Sequence, residues 1–150
     1  RNNLVTDCSF GILLSQVVGG VGGNRLLNNG VGLDIRRMGF LTDGNFLRVV
    51  NNDVMGGQVG MRFDSSSVLT FFRGFVVPNL GVHDNRLTGH SMPGLYGIEV
   101  VQPDPGFEID ARRNWWGSPA GPNPPGSEGA DPAADNVSRG VNYAQPSPRP

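Results

Sequence analysis

A chain of 150 residues carrying a net charge of −1 is long enough to bury one core, and its balance of acid and base excludes binding to nucleic acid or to an anionic membrane surface through a basic patch. No apolar run approaches the ~18 residues of a membrane span, and the single cysteine, Cys8, rules out an internal disulfide and a cysteine-based metal site. The 23 glycines and 12 prolines, with abundant asparagine, predict frequent turns and no long helix; every basic residue is arginine.

Read from the N-terminus, the chain opens on Arg1-Asn2-Asn3 in the middle of a pattern that its later parts repeat, so further repeats are expected upstream. Asn3-Leu4-Val5 leads to Gly11-Ile12-Leu13-Leu14, and Cys8 between them is expected to be a buried, inert thiol. The second unit reads Val21-Gly22-Gly23-Asn24-Arg25-Leu26, then Gly32-Leu33-Asp34-Ile35. The third reads Val49-Val50-Asn51-Asn52-Asp53-Val54, then Gly60-Met61-Arg62-Phe63. The fourth reads Val82-His83-Asp84-Asn85-Arg86-Leu87, then Gly97-Ile98-Glu99-Val100, and Ala111-Arg112-Arg113-Asn114-Trp115-Trp116 opens a fifth. Asn to Gly is eight residues in the first three units and twelve in the fourth, while successive asparagines lie 21, 28, 33 and 29 residues apart. Fixed spacing within a unit and drifting spacing between units mark a stacked repeat that accepts insertions on one side.

Each such Asn is expected at a sharp bend, in left-handed backbone, stacked on the Asn of the next repeat. The flanking residues alternate apolar and polar, the period of strands with one face inward. Ile12, Leu14, Leu33, Ile35, Met61, Phe63, Ile98 and Val100 should form inward rows on one wall; Val21, Leu26, Val49, Val54, Val82 and Leu87 should line the others. A helical repeat of similar period would need stretches of 10–15 residues or so free of Gly and Pro, which are almost absent here.

The run Asn114-Trp-Trp-Gly-Ser-Pro-Ala-Gly-Pro122 and the later Asp135-Asn-Val-Ser-Arg-Gly-Val-Asn-Tyr143 resemble the closing segment of bacterial right-handed parallel β-helix repeat proteins, the pectate-lyase-like and copper-chaperone-associated solenoid group. The resemblance implies an all-β, right-handed parallel β-helix of about four to five coils with a C-terminal cap. Coils would occupy 1–116, a capping loop and strand 117–143, and a Pro-rich tail or linker 144–150. It also implies export, with an extracellular, cell-surface or periplasmic location, and it implies no single activity. Trp115 and Trp116 are expected to close the end of the core, with Pro119, Pro122, Pro124 and Pro125 blocking further strand pairing; an aromatic platform for a sugar ring is the alternative.

For chemistry, the outward residues of the Gly-apolar-x-apolar strands form two columns, Leu13–Asp34–Arg62–Glu99 and Ser15–Arg36–Asp64–Val101. Opposite charges in adjacent repeats predict ion pairs along Asp34–Arg62–Glu99 and between Arg36 and Asp64. Three functional readings remain open. The first is a structural or carbohydrate-facing segment of an exported protein, with a polysaccharide or surface glycan as partner besides the upstream coils. The second is part of a polysaccharide lyase, hydrolase or epimerase, with Asp64, Glu99 and Arg62 catalytic in a groove walled by the 65–81 and 88–96 loops. Asp34, Arg36, Phe72, Arg73 and Tyr96 would then bind substrate, and Ca²⁺ would enter only if the enzyme were a lyase. The third is a surface or phage adhesin. His83 and His90 read as surface loop histidines without ligand companions, so no metal site is expected.

Overall fold

The computed structural model describes residues 1–36, 46–64, 80–102, 108–144 and 146–147. Among them there is no helix, and none that could cross a membrane. Counted here from each ladder asparagine to the strand before the next, the first unit supplies β1 (Leu4–Thr6), β2 (Phe10–Ser15) and β3 (Gly19–Gly22). The second supplies β4 (Arg25–Leu27), β5 (Val31–Arg36) and β6 (Leu47–Val50), and the third β7 (Asp53–Met55), β8 (Val59–Asp64) and β9 (Leu80–His83). The fourth supplies β10 (Arg86–Thr88), β11 (Tyr96–Val101) and β12 (Ile109–Asp110), and β13 (Val141–Asn142) follows.

Through β12 every third strand pairs in parallel, and β13 adds to β12, which gives three sheets: β1-β4-β7-β10, β2-β5-β8-β11 and β3-β6-β9-β12-β13. The register places residues of equal offset side by side. Ile12, Leu33, Met61 and Ile98 form one row, and Leu14, Ile35, Phe63 and Val100 the next. Leu26–Val54–Leu87 and Val21–Val49–Val82 are the corresponding rows of the other two sheets. From the second unit onward these side chains are buried, whereas Val5, Ile12, Leu14, Val17 and Val21 of the first pack only partly against the core.

The asparagines stack as expected. Nδ2 of Asn3, Asn24, Asn52 and Asn85 each donates to Oδ1 of the next asparagine at 2.9–3.0 Å, ending at Asn114. The backbone N–H of each of the same four donates to that same Oδ1 at 2.9–3.1 Å. Left-handed backbone, expected at these asparagines, falls one residue earlier: Asn2, Gly23, Asn51, Asp84 and Arg113 have φ of 56–69°. The reason is division of labour at the corner. The earlier residue turns the chain, which leaves the Asn amide free to point inward and satisfy the next repeat.

The glycines that open the second strand of each unit have a different cause. None of Gly11, Gly32, Gly60 and Gly97 is left-handed. A Cβ on Gly11, Gly32 or Gly60 would lie 2.6 Å from the carbonyl oxygen of the glycine one repeat on, so the column is set by close backbone approach.

Isolated bridges Arg86–Trp115 and Ile98–Val137 continue two of the sheets past the fourth unit, beside β13 in the third. Trp116 is fully buried there, as expected of a core-closing residue, but Trp115 is only half-buried. Asn123 and Asn136 tie this segment down. Asn123 Nδ2 donates to the carbonyls of Asp131 and Ala134, and Asn136 Nδ2 to those of Met92 and Leu95, all at 2.8–2.9 Å. Cys8, expected to be buried, is exposed: the first-unit strands are the outermost of every sheet, while its neighbour one repeat on, Asn29, is buried.

Candidate functional site

The outward face of β5, β8 and β11 carries the charged residues singled out from the sequence. Arg62 and Glu99 are cross-strand neighbours in register, and Arg62 Nε donates to Glu99 Oε2 at 2.7 Å. Asp34 is also in register with Arg62, yet its carboxylate turns along its own strand to Arg36. Its Oδ2 accepts from Arg36 Nε at 3.0 Å and from Nη2 at 2.6 Å. Residues two apart on a strand share a face, and this in-strand contact displaces the expected Asp34–Arg62 pair. The Asp34 hydrogen bond and charge hold the Arg36 guanidinium above its ordinary pKa, with Asp64 adding in the same direction. The Arg36 guanidinium also lies 5.4 Å from the centre of the Phe10 ring.

Asp34 is fully buried, and its Oδ1 has no hydrogen-bond partner. Tyr96 lies half-buried at the start of β11, in register with Val59. Phe72 and Arg73 lie outside the described residues, as does most of the 65–81 loop. Asp34, Arg36, Arg62, Asp64 and Glu99 therefore share the outward face, with Tyr96 apart from them at the start of its strand; Arg62–Glu99 and Asp34–Arg36 are closed pairs on that outward face.

The histidines depart from expectation. His83 is half-buried, with Nδ1 3.0 Å from the Arg112 carbonyl and Nε2 3.5 Å from Asp110. Asp110 is itself held below the ordinary carboxylate range, chiefly by its hydrogen bond to Arg112, against the opposing effect of burial. His90, expected on the surface, is fully buried. Its Nδ1 lies 2.8 Å from Asp135 Oδ2, its backbone N–H donates to Asp135 Oδ1 at 2.7 Å, and its Nε2 lies 3.1 Å from the Gly56 carbonyl. Both ring nitrogens thus face oxygen acceptors. His90 stands five residues past its ladder Asn, the offset of Asn29, and Asp135 receives the His90 N–H as Asn29 Oδ1 receives the N–H of Cys8. The pair is thus a joint between the fourth unit and the C-terminal segment. Among the described residues no group of three or more His, Cys, Asp or Glu is placed to hold a metal ion.

A cleft that the sequence reading did not anticipate lies at the corner between the first and third sheets. Asn51, Asp84, Arg86, Arg113, Trp115 and Ser147 are among the residues around a volume of about 290 Å³. Asn51, Asp84 and Arg113 are the left-handed corner residues of successive repeats. Arg86 and Trp115 are bridge partners one residue past the ladder asparagines, on the outward side of the strand whose inward neighbours are Leu87 and Trp116. Arg113 Nη2 lies 3.3 Å from Asp84 Oδ2. Arg86 Nη1 reaches Asp53 only at 3.5 Å, and Arg86 Nε is buried without a partner. The signal was present in the repeat as fixed offsets of −1 and +1 from each Asn, but only the stacked geometry turns them into neighbouring columns. No protein-family model matches the chain, and neither a search of curated proteins nor one of solved structures returns a match.

Proposed function

We propose that this chain is the C-terminal section of a right-handed parallel β-helix, of the bacterial repeat group its Asn-Trp-Trp-Gly terminus resembles, and that it serves an exported protein as a structural, carbohydrate-facing segment. The observation that carries the reading is the unbroken run of five stacked asparagines beside three parallel sheets in constant register. Such a stack fixes the vertical spacing of outward side chains, which suits a stiff, repetitive surface. Closed pairing of Glu99 with Arg62 favours structure over catalysis. A carboxylate already taking a charge-assisted bond at 2.7 Å is a poor general acid, and its arginine is not free to neutralise a uronate.

The test is a turnover screen on uronate-containing and neutral polysaccharides, with and without Ca²⁺, following unsaturated and reducing-end products. No product is the expected result. Product formation that disappears with Asp64→Ala or Glu99→Ala would replace this reading with an enzyme whose site is the β5–β8–β11 face.

A further inference from the structure

We propose that His90 and Asp135 form a latch worked by a proton: a doubly protonated imidazole ring fastens the C-terminal segment to the fourth unit, and removal of one proton from the pair loosens it.

The geometry calls for that proton. His90 Nδ1 lies 2.8 Å from Asp135 Oδ2, and Nε2 lies 3.1 Å from the Gly56 carbonyl. A carbonyl and an ionised carboxylate only accept, and a neutral imidazole has a single N–H to offer the two of them. With a neutral ring, one contact would set a lone pair against an oxygen. Both side chains have 0% exposure, so water is not there to mediate, and an unmet polar contact in such a place is costly. Imidazole is a stronger base than carboxylate, which puts the shared proton on the ring. Among the described residues, the polar partners of the two side chains are each other and backbone groups. The walls nearby are glycine. A Cβ on Gly60 would lie 3.2 Å from His90 Cε1, and one on Gly97 would lie 2.9 Å from Asp135 Oδ2.

The corresponding place one repeat after Cys8 shows what the aspartate changes. There Asn29 Oδ1 accepts the Cys8 N–H at 3.0 Å, and Asn29 Nδ2 donates to the Val5 carbonyl at 3.0 Å. Asp135 Oδ1 accepts the His90 N–H at 2.7 Å in the same way, but its second atom is an oxygen with no hydrogen to give. The hydrogen in that contact comes from the ring. Beside it the Asn136 N–H donates to the His90 carbonyl at 3.1 Å, and the Asp135 N–H donates to the Trp116 carbonyl at 2.8 Å. The contact therefore sits where the segment is laid against the buried Trp116 and Val137.

When the joint opens, the ring meets water and gives up its proton above the ordinary imidazole value of about 6.5. The closed state then holds one proton more than the open one, so the latch is firm at low pH and weakens as pH rises.

The experiment uses the full chain with isotope-labelled histidine. At about pH 7, near the ordinary imidazole value, NMR should show hydrogen on both ring nitrogens of His90; the chain has two histidines, and His83→Gln assigns the signals. Urea titrations between roughly pH 6.5 and 8.5, followed by tryptophan fluorescence, should show the unfolding constant rising with pH, the latch contributing up to about tenfold per pH unit. Asp135→Asn restores the amide that Asn29 uses, whose Nδ2 can donate to a bare Nδ1. That variant should fold, show a single ring N–H on His90, and lose the latch's part of the slope. A purely structural contact would leave the slope alone, so equal slopes in the two chains would overturn the proposal. A bare ring nitrogen on His90 in the unmodified chain would overturn it too, and that spectrum decides by itself should Asp135→Asn fail to fold.

Discussion

Truncating an asparagine in the middle of the stack should be among the most damaging single changes available in this chain. Asn52 is 2% exposed. Its Oδ1 accepts from the Asn24 N–H at 3.1 Å and from Asn24 Nδ2 at 2.9 Å. Its Nδ2 donates to Asn85 Oδ1 at 2.9 Å and to the carbonyls of Val21 and Val50 at 3.2 Å. Asn52→Ala strips the acceptor from two buried donors of Asn24 and leaves a void the size of an amide. Each orphaned buried group costs about 1–3 kcal/mol, so a total of about 3–5 kcal/mol is expected. That is a large share of the roughly 5–15 kcal/mol that holds a domain folded.

Asn3 makes the same two donations to Asn24 but is exposed, so water replaces what Asn3→Ala removes and the cost should stay below about 1 kcal/mol. Asn52→Asp should be worse than alanine, because it turns a charged oxygen toward the Val21 and Val50 carbonyls and Asn85 Oδ1. Urea titrations followed by far-UV circular dichroism, at unchanged slope, measure all three variants. Asn24→Ala combined with Asn52→Ala should cost less than the sum, since the two share bonds. Equal stability of Asn52→Ala and Asn3→Ala would refute the claim that the stack, and not the apolar rows alone, fixes the register.

Gly32→Ala places a Cβ 2.6 Å from the Gly60 carbonyl oxygen and 2.7 Å from Val54 Cγ1; it should destabilise by at least about 2 kcal/mol, whereas Gly20→Ala, which meets only the end of Arg1 at 3.4 Å, should be close to neutral in the same titration. Trp116→Ala should cost about 3–5 kcal/mol, while Trp116→Phe should cost far less, because the indole Nε1 is buried without a partner and phenylalanine removes that unmet donor; thermal melts of the pair test this. Asp110 is held below the ordinary carboxylate range by Arg112, so its contribution is complete above that range and is lost as pH falls through the lowered folded value. The contribution is small at a site this exposed, and Asp110→Asn should lower stability slightly near neutrality and flatten the acid limb of a stability–pH curve, the two curves converging at low pH.

The rows of the core were legible because parallel stacking maps equal offsets onto one column, so Ile12–Leu33–Met61–Ile98 could be read straight from spacing. The asparagine stack was legible for the same reason. Its left-handed neighbour was misplaced by one residue, because spacing marks a corner but does not say which of two adjacent residues turns the chain. Outward partners were harder. Asp34 had Arg62 across the strand pair and Arg36 along the strand at comparable reach, and side-chain rotamers decide such choices. His90 looked like a loop residue because it reads as part of the four-residue insertion before Gly97; its burial depends on Asp135, a partner 45 residues later. The place of Cys8 in the first repeat suggests burial, but that repeat carries the outermost strand of every sheet.

That last point exposes an asymmetry between the two ends of the stack. At the C-terminal end the ladder finishes on Asn114, whose Nδ2 is satisfied by the Val82 and Ala111 carbonyls at 2.7 and 2.6 Å. Trp116 fills the core cross-section there, and the His90–Asp135 and Asn123–Asn136 contacts fasten the covering segment. At the other end β1, β2 and β3 are each the outermost strand of a sheet, and Leu4, Leu13 and Val18 are more than half exposed beside a 42%-exposed Phe10. One end thus uses polar groups that answer one another in place of a further repeat, and the other leaves unanswered the same groups that every interior repeat satisfies. Polar satisfaction at a sheet edge is what separates a closed end of a stack from an open one. By that criterion the Trp116 end is closed by the chain's own side chains, and among the described residues the first-unit face presents open strand edges.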